Sequence, residues 1–461
     1  MSSAAAATLA TQEAAAVTII GAGLAGALMA ILLARRGHPV TIYERLPDMR
    51  RVAVAAGRSI NLALAARGIR ALERAGLLDA IQSLMIPMQA RTLHGLDGSL
   101  TRIPYGQRPQ EVIHSISRSA LNCVLLDAAE QLGVQVNCGQ PALAADFAQR
   151  QIRLRDDALQ SERSIALSRI IAADGAGSVL RHCLIEQLHI ACREELLEHG
   201  YKELTLPPAA DAHYQIERDA LHIWPRGEFM LIALPNLHGS FTVTLFLPRH
   251  GPHSFATPDT AEAVNAFFQQ HFPDIAPLMP ELATEFLAHP IGVVGTVRCS
   301  QWSIGDQMLL VGDAAHAITP FHGQGMNCAF EDCIELDAWL AGSADWATAF
   351  TQFERSRRPN TDAMADMALE NYLEMRDTIR DPGLQLQKAL ALELERRHPR
   401  RFVPRYSMVT FHAEIPYAVA YARGAAQDAI LAELSCTVRS LDDVDFARAE
   451  RLIEEHLPPL A

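Results

Sequence analysis

An α/β fold is predicted on three observations along the 461 residues. A strand–turn–helix–strand unit opens the chain, the middle is rich in alternating and β-branched runs, and the last third has helical periodicity. Val17-Thr18-Ile19-Ile20 reads as a buried strand, Leu24 to Arg36 as a helix, and Val40-Thr41-Ile42-Tyr43 as a second strand ending at Glu44. Helical periodicity follows at 68–85 and 118–132, and Ser168 to Ala173 reads as a buried strand closed by Asp174-Gly175. Between 195 and 250, runs such as Leu221-His222-Ile223-Trp224 and Phe241-Thr242-Val243-Thr244-Leu245-Phe246-Leu247 predict an inserted antiparallel sheet that forms a separate substrate domain. Met308-Leu309-Leu310-Val311 returns as a core strand before Gly312-Asp313. Cys328 to about Arg397 and the stretch 415–461 read as helices. Residues 1–15, rich in Ala, Ser and Thr, read as disordered, and 142–165 and 250–285 carry no motif.

Composition narrows the class. Hydrophobic residues make up 49% and charged residues 20%, enough to bury a large core and to exclude a disordered, collagen-like or disulfide-scaffold chain. The net charge of −13 repels phosphate backbones, so no nucleic acid partner is expected. None of the eight cysteines stands in a CxxC pair, and they read as free thiols in a reducing cytoplasm. Val17 to Ala34 is uncharged and long enough to raise a membrane span. Gly21, Gly23 and Gly26 interrupt it and no basic segment precedes it, so strand, turn and helix account for it better and no membrane is expected.

Gly21-Ala22-Gly23-Leu24-Ala25-Gly26 is a G-x-G-x-x-G turn between strand and helix, the mark of a Rossmann-like dinucleotide-binding unit. Gly21 permits the tight turn, Gly23 lets a pyrophosphate approach the backbone at the helix N-terminus, and Gly26 allows close helix–strand packing. Glu44 closes the second strand, where a carboxylate accepts from ribose hydroxyls, and Arg45 flanks it. This motif by itself does not separate NAD from FAD. Two later turns follow buried strands: Ala172-Ala173-Asp174-Gly175-Ala176-Gly177-Ser178 and Leu310-Val311-Gly312-Asp313-Ala314-Ala315-His316. The second runs on into Pro320-Phe321-His322-Gly323-Gln324-Gly325-Met326-Asn327 and a helix. In this order the three motifs resemble those of single-component, FAD-dependent aromatic hydroxylases.

That resemblance implies a Rossmann-like FAD-binding domain with an inserted substrate domain (the aromatic hydroxylase fold) and a helical C-terminal region. It implies that Asp313 holds the flavin ribityl chain and that Asp174 and Gly175 sit where flavin and nicotinamide contacts meet. A helix starting at Gly325, Met326 and Asn327 would aim N–H groups at the flavin pyrimidine, where the reduced ring is anionic. His316 and His322 have no metal-ligand spacing and no third ligand near, so no metal is expected.

The resemblance narrows to kynurenine 3-monooxygenases. It is carried by Gly57-Arg58-Ser59-Ile60-Asn61-Leu62-Ala63-Leu64-Ala65-Ala66-Arg67-Gly68, Ile103-Pro104-Tyr105-Gly106, Gly200-Tyr201-Lys202-Glu203-Leu204, His222-Ile223-Trp224-Pro225 and Pro404-Arg405-Tyr406-Ser407-Met408-Val409-Thr410-Phe411. It covers about 16 to 425. It implies that Arg91 and Tyr105 bind an amino-acid carboxylate, that Asn371 and Tyr406 add polar contacts, and that Phe246, Pro320, Phe321, His322 and Met375 line the ring. Arg118 and Ala63, with Leu24 and Ala25 of the glycine turn, are implied FAD contacts. From position alone, Arg91 is equally well a surface salt bridge and Phe246 equally well sheet core. Asn371 is better read alone as a satisfied core polar group. The cation Arg118 at a helix start is disfavoured by the dipole unless it faces an anion.

The activity implied is NADPH- and O2-dependent hydroxylation of L-kynurenine to 3-hydroxykynurenine through a flavin C4a-hydroperoxide. NADPH would bind transiently, and no general base is required because the substrate amine activates its own ring. Competing readings are another flavin hydroxylase acting on a different aromatic acid, a flavin dehydrogenase working without oxygen, and a non-catalytic FAD protein. Implied domains are 15–82, 111–185 and 293–375 for FAD, 83–110 and 186–292 for substrate, and 376–461 as a C-terminal helical cap. Eukaryotic members carry a C-terminal membrane anchor and this chain shows none, so the soluble, cytoplasmic bacterial type is expected. The state of assembly, a homodimer included, is left open.

Overall fold

The computed structural model describes residues 15–52, 61–343, 345–375 and 381–460. Residues 1–14 and the Gly57 to Ile60 start of one family-like segment lie outside the described residues.

In chain order the elements are β1 (Val17–Ile20), α1 (Leu24–Arg35), β2 (Val40–Glu44), β3 (Asn61–Leu64), α2 (Ala66–Arg74), α3 (Leu78–Ile81), β4 (Ile86–Met88), β5 (Ala90–His94), β6 (Leu100–Pro104), β7 (Ile113–Ser117), α4 (Arg118–Gln131) and β8 (Gln135–Cys138). There follow β9 (Ala142–Asp146), β10 (Gln151–Asp156), β11 (Ser161–Ala166), β12 (Ile170–Ala172), α5 (Val179–Leu188), β13 (Cys192–Leu206), β14 (Ala220–Pro225), β15 (Met230–Pro235), β16 (Phe241–Pro248), α6 (Ala261–His271) and α7 (Leu282–Ala288). The last are β17 (Gly292–Cys299), β18 (Ser303–Ile304), β19 (Met308–Leu310), α8 (Asp313–His316), α9 (Gly325–Gly342), α10 (Trp346–Leu373), α11 (Pro382–Arg397), α12 (Arg405–Thr410), α13 (Tyr417–Ser435) and α14 (Phe446–His456).

Two sheets carry the architecture. One has the order β18–β19–β12–β1–β2–β8 and is parallel except at β18–β19. Its strands share one buried core with the neighbouring helices α1, α4 and α9 and with α5 and the β9–β10 strands, which explains their continuous apolar runs. The other has the order β17–β13–β16–β15–β14–β5–β6. The expected antiparallel sheet is present, with one departure: β14 and β5 pair in parallel. Strand β5 reaches this sheet from the first quarter of the chain through a long connection, which a parallel neighbour requires. One face of this sheet buries Leu204, Trp224, Leu231, Val243 and Leu245 against α6 and α7. Its other face carries Ile223, Met230 and Phe246 and closes over the candidate site.

Helix breaks follow local chemistry. The expected 68–85 helix splits where Gly76 takes φ +64 after α2, a glycine C-terminal stop. The long 328–397 run is three helices: Asp345 accepts from Thr348 N to start α10, and Asp381 accepts from Leu384 N ahead of Pro382 to start α11. Pro359 lies inside α10 without ending it. In the stretch without motifs, 142–166 forms the antiparallel β9–β10–β11 ribbon. Among the described residues no helix is long and apolar enough to cross a membrane.

Four helices meet in a buried charge cluster. Arg67 of α2 donates to Glu331 at 2.5 Å, and Arg357 of α10 donates to Glu331 at 2.6 Å and to Asp332 at 2.8 Å. His316 of α8 lies 2.6 Å from Asp332. Arg67 also lies 3.8 Å over the Tyr417 ring of α13 and donates to the carbonyls of Val409 and Ile415. Burial pushes the two carboxyls up, but Arg357 and Arg67 beside Glu331, and His316 and Arg357 beside Asp332, outweigh it and hold both below the usual range. Glu331→Gln therefore leaves the buried Arg67 guanidinium without its carboxylate and Arg357 with Asp332 alone, and urea unfolding is expected to show a loss of about 3–5 kcal/mol.

Candidate active site

Four turns gather at the carboxyl edge of the parallel sheet, after β1, β2, β12 and β19. Gly21 has φ +103, and a Cβ there would lie 2.4 Å from the Ala173 carbonyl oxygen, so the β1 and β12 turns touch only because Gly21 has no side chain. A Cβ on Gly23 would meet nothing within 4 Å; that side of the turn is open. Leu24 and Ala25 begin α1, and Gly26 packs against the Gly21 carbonyl. The Glu44 carboxylate accepts from Ala22 N at 2.7 Å and Leu46 N at 2.8 Å, fixing the acid beside the glycine turn, with Arg45 exposed next to it. Asp313 is exposed at the start of α8, and Arg118 is exposed at the start of α4.

The Asp174 carboxylate is committed within the fold. It accepts from Ser178 Oγ at 2.6 Å and Val179 N at 2.9 Å, so it caps α5, while Gly175 (φ +80) faces open space. The Asn327 side chain is likewise committed within the fold: Oδ1 accepts from Ala65 N, and Nδ2 donates to the carbonyls of Ala63 and Gly323. It clamps β3 to the turn before α9. The N–H groups of Gly325, Met326 and Asn327 in the first turn of α9 have no intrahelical acceptor. Arg181, which sequence reasoning missed, donates from Nη1 to Ala314 O at 3.0 Å and from Nη2 to Ala176 O, tying the third strand's turn to the fourth.

The second group lies beneath the apolar face of the seven-stranded sheet. Arg91 of β5 lies 5.2 Å from the Tyr105 ring centre and 4.4 Å from that of Tyr406. The two phenol rings are nearly parallel with centres 6.1 Å apart, and His322 stacks on Tyr406 at 5.0 Å. Phe246 meets Phe321 at 4.9 Å, Phe321 stacks on Tyr372 at 4.2 Å, and Met375 packs in the same cluster. Asn371 donates to the Phe321 carbonyl at 2.6 Å, which holds the 320–322 turn against α10. Pro320 opens that turn and is exposed, while Phe321 and His322 are buried. Ala63 packs with Tyr105, Tyr406 and Ile232, joining the two groups. Leu221, Ile232 and Tyr372 also belong here; the sheet periodicity placed the first two on a strand without showing which face they line.

The Arg91 guanidinium is the charge at the centre of this cluster. Burial disfavours the Arg91 charge, but the Tyr406 and Tyr105 oxygens and the Glu374 carboxylate overcome it and raise its pKa. Burial raises the Tyr105 phenol, which stays protonated and able to donate. His322 is pushed down to about 3 by burial, with Arg91 and Arg405 adding to the shift, so its imidazole is neutral. Arg91 Nε and His322 Nδ1 are buried without a hydrogen-bond partner among the described residues. Glu374, also missed from sequence, pairs with Lys388 of α11; burial pushes its carboxyl up, and the ammonium outweighs that and keeps it ionised. An orphaned guanidinium nitrogen between two phenols suits a carboxylate.

A parallel sheet with turns built for a dinucleotide, joined through Ala63 to a buried cluster of aromatic side chains around Arg91, defines a FAD-dependent monooxygenase of the aromatic hydroxylase fold. Residues 14–368 match the family described as "FAD binding domain". The chain is 47% identical over 444 residues to the kynurenine 3-monooxygenase of Myxococcus xanthus (strain DK1622), covering 96% of both. It is also 47% identical over 444 residues to that of Stenotrophomonas maltophilia (strain K279a), covering 96% of this chain and 97% of the relative. The chain belongs to the kynurenine 3-monooxygenase family. Among solved structures, the tetrameric form of 2-methyl-3-hydroxypyridine-5-carboxylic acid oxygenase shares the fold, with a TM-score of 0.65 and 21% identity over 80% of this chain and 95% of that one.

Buried neutral histidines make stability pH-dependent. His322 sits at about 3, and His222, which lies 2.8 Å from His94 on the far face of the sheet, is lowered to about 4 by burial. Unfolding releases both to ordinary values near 6.5, so the unfolded chain takes up protons first as pH falls. Stability is full above pH 6.5 and declines from there toward pH 4, by up to about 1.4 kcal/mol per pH unit for each histidine. Urea midpoints at pH 7 and pH 5.5 should differ in that direction; equal midpoints would contradict the neutral assignment.

Proposed function

We propose that this protein hydroxylates L-kynurenine to 3-hydroxykynurenine, with FAD as resident cofactor and NADPH and dioxygen as co-substrates. The observation that carries the reading is Arg91: a half-buried arginine whose buried Nε has no hydrogen-bond partner among the described residues, flanked by the Tyr105 and Tyr406 rings. Family membership at 47% identity supplies the substrate class.

The residues present suit FAD. Gly21, Gly23, Leu24, Ala25 and Gly26 would hold the pyrophosphate on the open side of the first turn. Glu44 and Arg45 would hold the ribose and adenine end, and Arg118 and Asp313, both exposed at helix starts, the phosphates and ribityl chain. Ala63 with the first turn of α9 (Gly325, Met326 and Asn327) would face the ring, while Asp174 and Gly175 border the site from the β12 turn. When bound, the flavin accepts reducing equivalents from NADPH and activates dioxygen.

The chain's own residues position and shield the substrate. Arg91 and Tyr105 grip the amino-acid carboxylate and Tyr406 adds a second hydroxyl. Asn371 keeps the 320–322 turn in place through the Phe321 carbonyl. Phe246, Phe321 and Met375 wall the aromatic ring, with Pro320 at the rim and His322 neutral beside Tyr406. The dry walls exclude water from the reacting centre. No side chain has to remove a proton in the attacking step, because the aniline nitrogen of the substrate activates the ring. The segments 15–82, 111–185 and 293–375 would form the flavin part, 83–110 and 186–292 the substrate part, and 376–461 the cap. The same reading places the protein in the cytoplasm.

Mixing purified protein with NADPH and L-kynurenine should yield 3-hydroxykynurenine. NADPH oxidation that produces only hydrogen peroxide would defeat the reading. Arg91→Met should raise KM for kynurenine about 100-fold, corresponding to a charged hydrogen bond of roughly 3 kcal/mol, while the yellow flavin content stays unchanged. An unaltered KM would point to an aromatic substrate without an amino-acid carboxylate.

A further inference from the structure

Strands β13 and β17 pair antiparallel, and Cys192 stands directly opposite Cys299. Their sulfurs touch at 2.7 Å. The neighbouring rung carries the hydrogen bond from Ser300 N to Ala191 O at 2.8 Å, so the cysteines occupy a non-hydrogen-bonded rung. Such rungs bring Cα atoms to about 4.5 Å, at the short end of the range a disulfide spans. Among the described residues, no other pair of cysteines has its sulfurs in contact. Cys299 is buried and Cys192 half-buried, so an oxidant meets Cys192 first. The pair also lies at a joint: Glu194, two residues along β13, accepts from Arg181, the residue that ties the Ala176 and Ala314 turns together.

We propose that Cys192 and Cys299 are a reversible oxidation site, a dithiol that closes to a cross-strand disulfide when it meets hydrogen peroxide. The Cys192 sulfur attacks one peroxide oxygen; the S–O bond forms, the O–O bond breaks, and the leaving hydroxide departs as water. The Cys299 sulfur then attacks the sulfenic sulfur; the S–S bond forms, the S–O bond breaks, and a second water leaves. Two sulfurs are oxidised by one electron each, and peroxide is reduced to two waters. Burial and the neighbouring Cys192 push the Cys299 thiol up, so it keeps its proton until the second step. A bond closed across a narrow rung is under strain and open to reduction by a dithiol. The proposal stands apart from the substrate reading, because the peroxide is added.

The test treats the full-length protein with hydrogen peroxide, alkylates remaining thiols with iodoacetamide, and maps the peptides by mass spectrometry. Expected are two fewer alkylated thiols per chain, a peptide pair joined through Cys192 and Cys299, and recovery of both thiols with dithiothreitol. Cys192→Ser and, separately, Cys299→Val should each abolish the joined pair; the wild-type map decides the matter even if a variant folds poorly. Oxidation of the exposed Cys436 with Cys192 and Cys299 still alkylatable would overturn the proposal. So would a Cys192 that proceeds to sulfinic acid beside a free Cys299.

Discussion

Two buried arginines sharing two adjacent carboxylates hold the working parts of this molecule in register. Glu331 and Asp332 project from α9, Arg67 comes from α2, and Arg357 from α10. Neither guanidinium could be buried alone, and neither carboxylate could; together they approach neutrality and satisfy one another's hydrogen bonds. The same Asp332 accepts from Gly312 N at 3.0 Å, which fixes the turn that presents Asp313. The cluster thus sets the start of α9, the turn after β19, and, through Arg67 over Tyr417, the seat of the C-terminal helices.

The two halves of the site obey different physics. The dinucleotide edge is built from backbone: glycine turns, open faces and unpaired N–H groups at helix starts, with side chains such as Asp174 and Asn327 spent on holding those turns. The ring pocket is built from side chains, with aromatic walls from elements distant in sequence and an Arg91 Nε that has no acceptor among the described residues. A buried guanidinium nitrogen without an acceptor is costly, and that cost is recovered only when an anion enters. Ala63 belongs to both halves, packing with Tyr105 and Tyr406 while its carbonyl accepts from Asn327.

Much of the dinucleotide half was legible in the residues. Strand β1, helix α1 and strand β2 fall where the apolar runs and glycines place them, because each is decided by neighbours within about 25 residues. The ring pocket was legible only through family resemblance. Arg91 and Phe246 sit on strands whose alternation is equally consistent with either face, and Asn371 looks like an ordinary buried amide on a helix. Arg181 and the Glu374–Lys388 pair carried no motif; each is defined by a partner across the fold.

The sequence by itself determined the parallel dinucleotide unit, the order of three motif turns and the helical character of the last third, since these depend on short-range periodicity and on glycine's freedom from Cβ clashes. Tertiary structure alone decided the parallel β5–β14 junction, the capping duty of Asp174, the contact of Cys192 with Cys299, and the placing of Arg91 between the Tyr105 and Tyr406 rings. Those depend on which distant segments share a sheet edge or a helix face, and on the water excluded when they meet, quantities that no local pattern encodes.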